Sequence, residues 1–298
     1  MSQAKYITAA ASAYFLWGFF SFGSRPVSDY AALDILCYRL VLCTGLLWTI
    51  TLLFRRKKFS SDLRLLQSRD SRVKRQLVVK MLAASVLLLI NWLSFIYVMN
   101  NIGVQTAALS YMICPVIAAL LGFLVLKEPL DTPRRVALLI SITAVSLLAY
   151  GHFRELYFSL LVAVSFAAYL ILQRKLNMFD GFNLLTVQAT VITLLLSPFL
   201  LRAEHQLIRD ARFYEYVMII VVFFTIIPML LNNYALKGIN ASTAGILLYI
   251  NPVVNFLLAV LYYSEVVSWV QLVSYTMVVF SVIIYNSGIF IKKPSINC

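Results

Sequence analysis

A chain of 298 residues that is 62% apolar and only 12% charged cannot wrap a water-soluble surface around its core. Its 25 lysines and arginines outnumber 12 aspartates and glutamates, for a formal net charge of +13. The basic residues fall between apolar blocks and do not interleave with aromatics, which excludes a nucleic-acid surface.

The apolar blocks run about 17–24 residues, enough to cross roughly 30 Å of hydrocarbon as helix. They lack the strict alternation of a membrane β-barrel. Ten spans are predicted, over residues 6–22, 31–54, 77–98, 106–126, 136–150, 157–172, 184–201, 216–236, 243–263 and 269–289. The first follows Lys5 but has no convincing small-x-small cleavage site and nine further spans follow it, so it is expected to be retained. Between the second and third lies the most basic connection, from Arg55 to Lys80, expected to be a solvated loop that sets topology. An amphipathic stretch on anionic headgroups is the alternative. With that connection in the cytoplasm, parity puts Lys5, Lys127, Arg134, Arg135, Arg174, Lys175, Lys237, Lys292 and Lys293 inside. Only Arg25, Arg154, Arg202, Arg209 and Arg212 fall outside, so both termini are expected to be cytoplasmic. Cys37 and Cys43 share one span, Cys114 lies in another and Cys298 is terminal, while His152 and His205 lie in connections. No metal site and no cofactor are expected.

The chain repeats itself. Thr106-Ala107, Ile113, Pro115-Val116, Leu120-Leu121 and Glu128 align without a gap to Thr243-Ala244, Ile250, Pro252-Val253, Leu257-Leu258 and Glu265. Five spans per half is an odd number, so the second copy enters the membrane inverted. The halves are residues 1–151 and 152–298. Such a fold places its substrate site where the repeats meet, on helices with locally opened backbone, and moves substrate by alternating access.

Several further residues extend the pattern: Asn91-Trp92, Tyr97, Asn100-Asn101, Ala107-Ala108-Leu109-Ser110-Tyr111, Pro115 and Leu126-Lys127-Glu128-Pro129-Leu130 in the first half. The second half adds Ser165-Phe166, Tyr169, Arg174-Lys175, Thr225-Ile226-Ile227-Pro228, Thr243-Ala244-Gly245, Tyr249-Ile250-Asn251-Pro252 and Glu265. In order and spacing this resembles the RarD-like branch of the EamA group, within the drug/metabolite transporter superfamily. It departs at Cys114, which stands where the second copy has Asn251, at Leu170 after Tyr169, and at Glu265-Val266, where the first half has Glu128-Pro129. The resemblance implies an inner-membrane permease of ten helices in two inverted repeats around a central cavity, associated with efflux or exchange of amino acids and other small metabolites.

Within this frame, Pro115 and Pro252 each remove a backbone donor and free a carbonyl at membrane depth, facing a cavity or acting as a hinge. Pro228 stands alone in the eighth span. Asn91, Asn232, Asn233 and Asn251 must point inward, as cavity groups or as helix–helix glue, with Asn91 and Asn251 favoured for the cavity. Trp92, Tyr111 and Tyr249 offer aromatic surface with a polar tip to an amphipathic substrate. Arg39, about 140° around the helix from Asp34, contacts a substrate carboxylate or, as slightly favoured here, a helix C-terminus of the scaffold. Glu128 and Glu265 are gate residues or, as favoured here, solvated span ends.

The expected partners are a small-molecule substrate and the bilayer, with the protein a monomer or a homodimer. A facilitative channel or an exchanger of neutral molecules is the alternative, although no Gly-rich filter is present. An intramembrane enzyme is more remote, because no His-Glu-x-x-His helix, aspartate pair or Ser/His dyad lies at membrane depth.

Overall fold

The computed structural model describes residues 3–101, 104–150, 153–200, 208–262, 264 and 268–291. Among them, nine helices are long and apolar enough to cross a membrane, which makes the chain a multi-pass helical membrane protein. The helices are α1 (Ala4–Gly18), α2 (Phe20–Ser24), α3 (Ala32–Ile50), α4 (Arg56–Gln67), α5 (Ser71–Asn101), α6 (Val104–Leu126), α7 (Thr132–Ala149), α8 (Phe153–Lys175), α9 (Gly181–Leu200), α10 (Ala211–Val221), α11 (Ile227–Ala235), α12 (Ala241–Leu247), α13 (Ile250–Leu261) and α14 (Trp269–Ile291). The first predicted span falls short of a spanning helix because it is interrupted. Helix α1 has 15 residues and breaks at Phe19, where φ −91° and ψ 9° leave the helical region before α2 resumes.

The basic connection is not a loop. A π turn at Thr51–Arg55 carries α3 directly into α4. Phe59, Asp62, Leu65 and Leu66 form the less exposed side of α4, whereas its basic residues are exposed. That side docks on the bundle. Phe59 lies 5.3 Å from Trp48, and Asp62 accepts hydrogen bonds from the Asp180 amide (2.9 Å) and from Asn183 Nδ2 (2.7 Å). Arg55 closes the junction with a 2.7 Å ion pair to Asp180. Arg, Lys, Leu and Gln supply good helix propensity, and docking of the less exposed side adds tertiary support.

Helix neighbours pair across the two halves. Helix α8 packs on α5 and α6, and α1 packs on α11 and α13. Helices α3 and α9, α6 and α12, and α7 and α14 lie side by side. Small residues allow the close crossings: a Cβ on Gly245 would come 2.5 Å from that of Ala118, and Ser141 and Ser281 share a 2.6 Å hydrogen bond. Leu124, Leu139, Leu194, Phe280 and Ile283 face outward, as lipid contact requires. Contacts between connections sort into two ends. Tyr6 with Tyr234, Arg55 with Asp180 and Glu128 with Ala241 mark one end, and Tyr30 with Asp210 and Phe22 with Tyr262 the other.

The duplicated prolines do not behave alike. Helix α6 runs unbroken through Pro115, contrary to the expected opening, because losing one amide donor leaves the rest of its ladder in place. Before Pro252 the helix is interrupted at Leu248–Tyr249, where the Leu248 amide divides between the carbonyls of Ala244 (3.1 Å) and Gly245 (3.0 Å). A further opening lies at Pro228, preceded by a π turn at Val222–Ile226. Lys127 (φ 54°) and Ser264 (φ 52°) are the non-glycine residues with left-handed backbone among those described. They are separated by the same interval as Pro115 and Pro252.

Candidate functional site

The centre of the bundle gathers aromatic and polar side chains from both halves. Tyr14 of α1 donates a 2.7 Å hydrogen bond to Asn232 Oδ1 of α11, and its ring lies 5.7 Å from Trp17. Trp17 packs edge-on to Phe166 (5.9 Å), which in turn lies 5.7 Å from Tyr169. The indole Nε1 of Trp17 donates to the Phe224 carbonyl at 2.9 Å. That carbonyl belongs to the π turn just before Pro228, which has no amide to offer it, and Trp17 takes it. Trp17 is an aromatic candidate by sequence and Tyr169 part of the resemblance, but neither their partners nor Tyr14 are predicted from sequence. Their signal was a hydroxyl or indole inside an apolar run, which requires a partner.

On the other side, Arg39 of α3 turns inward and is 9% exposed. Its guanidinium stacks over the Trp92 ring of α5 at 4.5 Å. Tyr111 and Cys43 are the ionisable groups in electrostatic range, and Tyr111 packs on Phe95 at 5.0 Å. No carboxylate or carbonyl accepts a hydrogen bond from Arg39 among the described residues, and its Nε is buried without a partner. The scaffold contact with a helix C-terminus is therefore not made. Arg174, rather than Arg39, reaches such an end, at the Leu236 carbonyl.

Arg39 and Trp92 thus come together, with Tyr111 in electrostatic range of the guanidinium. Tyr249 is fully buried, its hydroxyl turned toward Ser141 without closing a hydrogen bond. Asn232 is half satisfied, since its Nδ2 has no acceptor. Asn91 binds the Val162 carbonyl of α8 at 3.0 Å, and Asn233 joins Gln173 (2.7 Å) and the Gly181 carbonyl (3.1 Å), so both hold helices together. Asn251 accepts from Asn255 at 3.0 Å, within its own helix. Pro115 and Pro252 are both buried, and the Pro115 carbonyl faces Gly245.

Glu128 departs from its expected solvated position. It is 8% exposed and caps α12, accepting from the amides of Ala241 (2.8 Å) and Ser242 (2.9 Å) and from the Ser242 hydroxyl. A carboxylate at a helix N-terminus meets orphan donors and a favourable dipole. Left-handed Lys127 turns the chain back so that the Glu128 amide reaches the Gly122 carbonyl at 3.1 Å. At Gly122 a side chain would collide with Ser242 and approach Glu128 Oε2 to 2.7 Å. Glu265 and the side chain of Asn100 lie outside the described residues. Among the described residues, no three of His, Cys, Asp or Glu gather as a metal site.

The EamA-like transporter family model matches the chain twice, over residues 4–150 and 154–287. Protein RarD of Streptomyces exfoliatus is 32% identical over 85% of this chain and 79% of its own length. An uncharacterized transporter of Bacillus subtilis, YojE, is 27% identical over 88% and 86%, and Protein RarD of Escherichia coli is 25% identical over 87% and 86%. A crystal structure at 12% identity shares the fold with a TM-score of 0.74, over 97% of this chain and 99% of that one. The chain therefore belongs to the EamA-like transporter family, within its RarD-like branch.

Proposed function

We propose that this protein is an inner-membrane permease that moves small metabolites, amino acids or amphipathic compounds among them, by alternating access, with export as the working direction. Its ten spans form two inverted repeats, residues 1–151 and 152–298, with both termini in the cytoplasm. One observation carries the reading. When α8 stands for α1, α9 for α3, the α10–α11 pair for α5, the α12–α13 pair for α6 and α14 for α7, the helix pairing maps onto itself. The packing of α8 on α5 and α6 then answers that of α1 on α11 and α13, and the remaining pairs join equivalents. Two packings of one motif, related by inversion, can be close in energy while opening to opposite sides.

Three further observations support it. The family model falls separately on each half. The left-handed residues Lys127 and Ser264 recur at the interval of the prolines. The opened backbones at Pro228 and Leu248–Tyr249 lie in the second half, where they can act as hinges. At the end bearing the basic connections, the Glu128 cap on α12 closes the seam between α6 and α12.

The test is uptake by purified protein in liposomes against a panel of amino acids, nucleosides and small amphiphiles, with and without a pH gradient. Saturable movement of at least one compound above empty vesicles, accelerated by preloading the same compound on the far side, is expected. Uptake that never saturates and shows no such exchange would replace the carrier by a channel.

A further inference from the structure

We infer that Arg39 and Trp92 form the anion-recognition point of the passage, and that its ligand is a singly charged carboxylate with an apolar body and no free ammonium group. The inference rests on the permease reading and narrows its substrates to amphipathic acids, setting free amino acids aside.

A buried guanidinium normally has an acceptor on every side. Arg39 is nine-tenths buried, its Nε has no partner, and among the described residues no hydrogen bond or ion pair reaches it. What the protein supplies is the Trp92 face 4.5 Å away, and Tyr111, packed on Phe95 at 5.0 Å, lies in electrostatic range of the guanidinium. Stacking fixes the plane of the fork and leaves its edge for a planar, bidentate acceptor, which a carboxylate provides. The aromatic faces then cover the apolar body.

Charge balance narrows the class. Arg39 and Glu128 are the buried charged residues among those described, and the Glu128 carboxylate is already engaged with α12. A single cation neutralises one negative charge, so the hydrogen phosphate dianion would enter with one uncompensated, and its monoanion has no apolar body for the aromatic faces. No buried carboxylate is left to receive an ammonium, so a zwitterion would also enter uncompensated at its other end.

Three probes share one body and differ in charge: N-acetylphenylalanine, phenylalanine and N-acetylphenylalaninamide, with inorganic phosphate as a fourth arm. Their affinities for the detergent-purified protein are measured by calorimetry, and their uptake in liposomes. The wild type is expected to bind N-acetylphenylalanine about tenfold or more tightly than the other three. Arg39→Gln should bring it level with its amide, Arg39→Lys should keep part of the preference, and Trp92→Leu should weaken all three aromatic probes. An Arg39→Gln protein that elutes as a single folded species and keeps the anion preference would overturn the assignment. So would a wild type that binds N-acetylphenylalanine no better than its amide, or binds neither. If Arg39→Gln does not fold, a folded Arg39→Lys variant that loses all preference for the anion also overturns it, because the charge is still present. Uptake of other compounds from the wider panel would leave the permease reading standing in each of these cases.

Discussion

At the scale of single residues, the most consequential placement is Glu128. A glutamate at the end of an apolar run is ordinarily a solvated stop, and from sequence that was the favoured reading. The structure instead seats it on the amides of Ala241 and Ser242, a contact that spans the two halves of the chain. Nothing local in the sequence announces such a partner, because the α12 amides lie more than a hundred residues away. Glu128→Ala leaves buried donors without an acceptor and should lower stability by about 1–3 kcal/mol. Gly122→Ala should act through the same cap by pushing Ser242 and Glu128 apart. The two effects are therefore expected to be less than additive in thermal unfolding of the detergent-solubilised protein. Full additivity would mean that Gly122 serves some other contact. Lys127, left-handed at φ 54°, is predicted to accept glycine without loss and to resist valine, whose branched side chain disfavours that backbone.

At the scale of elements, nine of the ten expected spans appear as spanning helices among the described residues, and the breaks within them were not legible. Predicted limits such as 106–126 and 269–289 agree closely with Val104–Leu126 and Trp269–Ile291, because hydrocarbon thickness fixes span length. The interruptions depend on tertiary partners. Pro228 opens its helix where Trp17 can take the Phe224 carbonyl, whereas Pro115 leaves α6 intact. Trp17→Phe should therefore destabilise by about 0.5–1.5 kcal/mol in the wild type. It should cost less in a Pro228→Ala background, where a restored amide can serve Phe224. An equal cost in both, measured by a double-mutant cycle, would separate the two residues.

Helix α4 was missed for a different reason: its basic composition masks a helical stripe at Phe59, Asp62 and Leu66. Its docking depends on Asp180. Burial alone would raise the Asp180 carboxyl, but the Arg55 charge and hydrogen bond, with the Asn183 and Phe182 amides, hold it below the usual carboxylate range. The charged form is thus favoured by the folded protein. Docking should be fully present above the ordinary carboxylate pKa and be lost only as pH falls through the lowered folded value. At neutral pH, Asp180→Asn should speed tryptic cleavage at Lys57, Lys58 and Arg64. Unchanged cleavage would show that α4 is held by its apolar side alone.

At the scale of the whole molecule, the duplicated motif carried most of the information. A proline, a flanking apolar pattern and a terminal glutamate, repeated at an interval of 137 residues, are the sequence basis of the proposed inversion. Which side chains meet at the seam was less legible, since Arg39 finds Trp92, and Tyr14 finds Asn232, only through packing between distant segments. The asparagines show why residue type was a weak guide. Asn91 and Asn233 hold helices together, while Asn232 keeps an unused donor near the centre.

Inversion is the claim on which the carrier mechanism stands, and labelling tests it most directly. Lys127 and Ser264 are exposed, share the same left-handed backbone and precede the paired glutamates. Cys37, Cys43 and Cys114 are buried and need no replacement. In a Cys298→Ser background, Lys127→Cys and Ser264→Cys are treated separately with a membrane-impermeant maleimide on intact cells. The account predicts that Ser264→Cys is labelled from outside, and that Lys127→Cys reacts only once the membrane is opened. Labelling of both positions from the same side would contradict it.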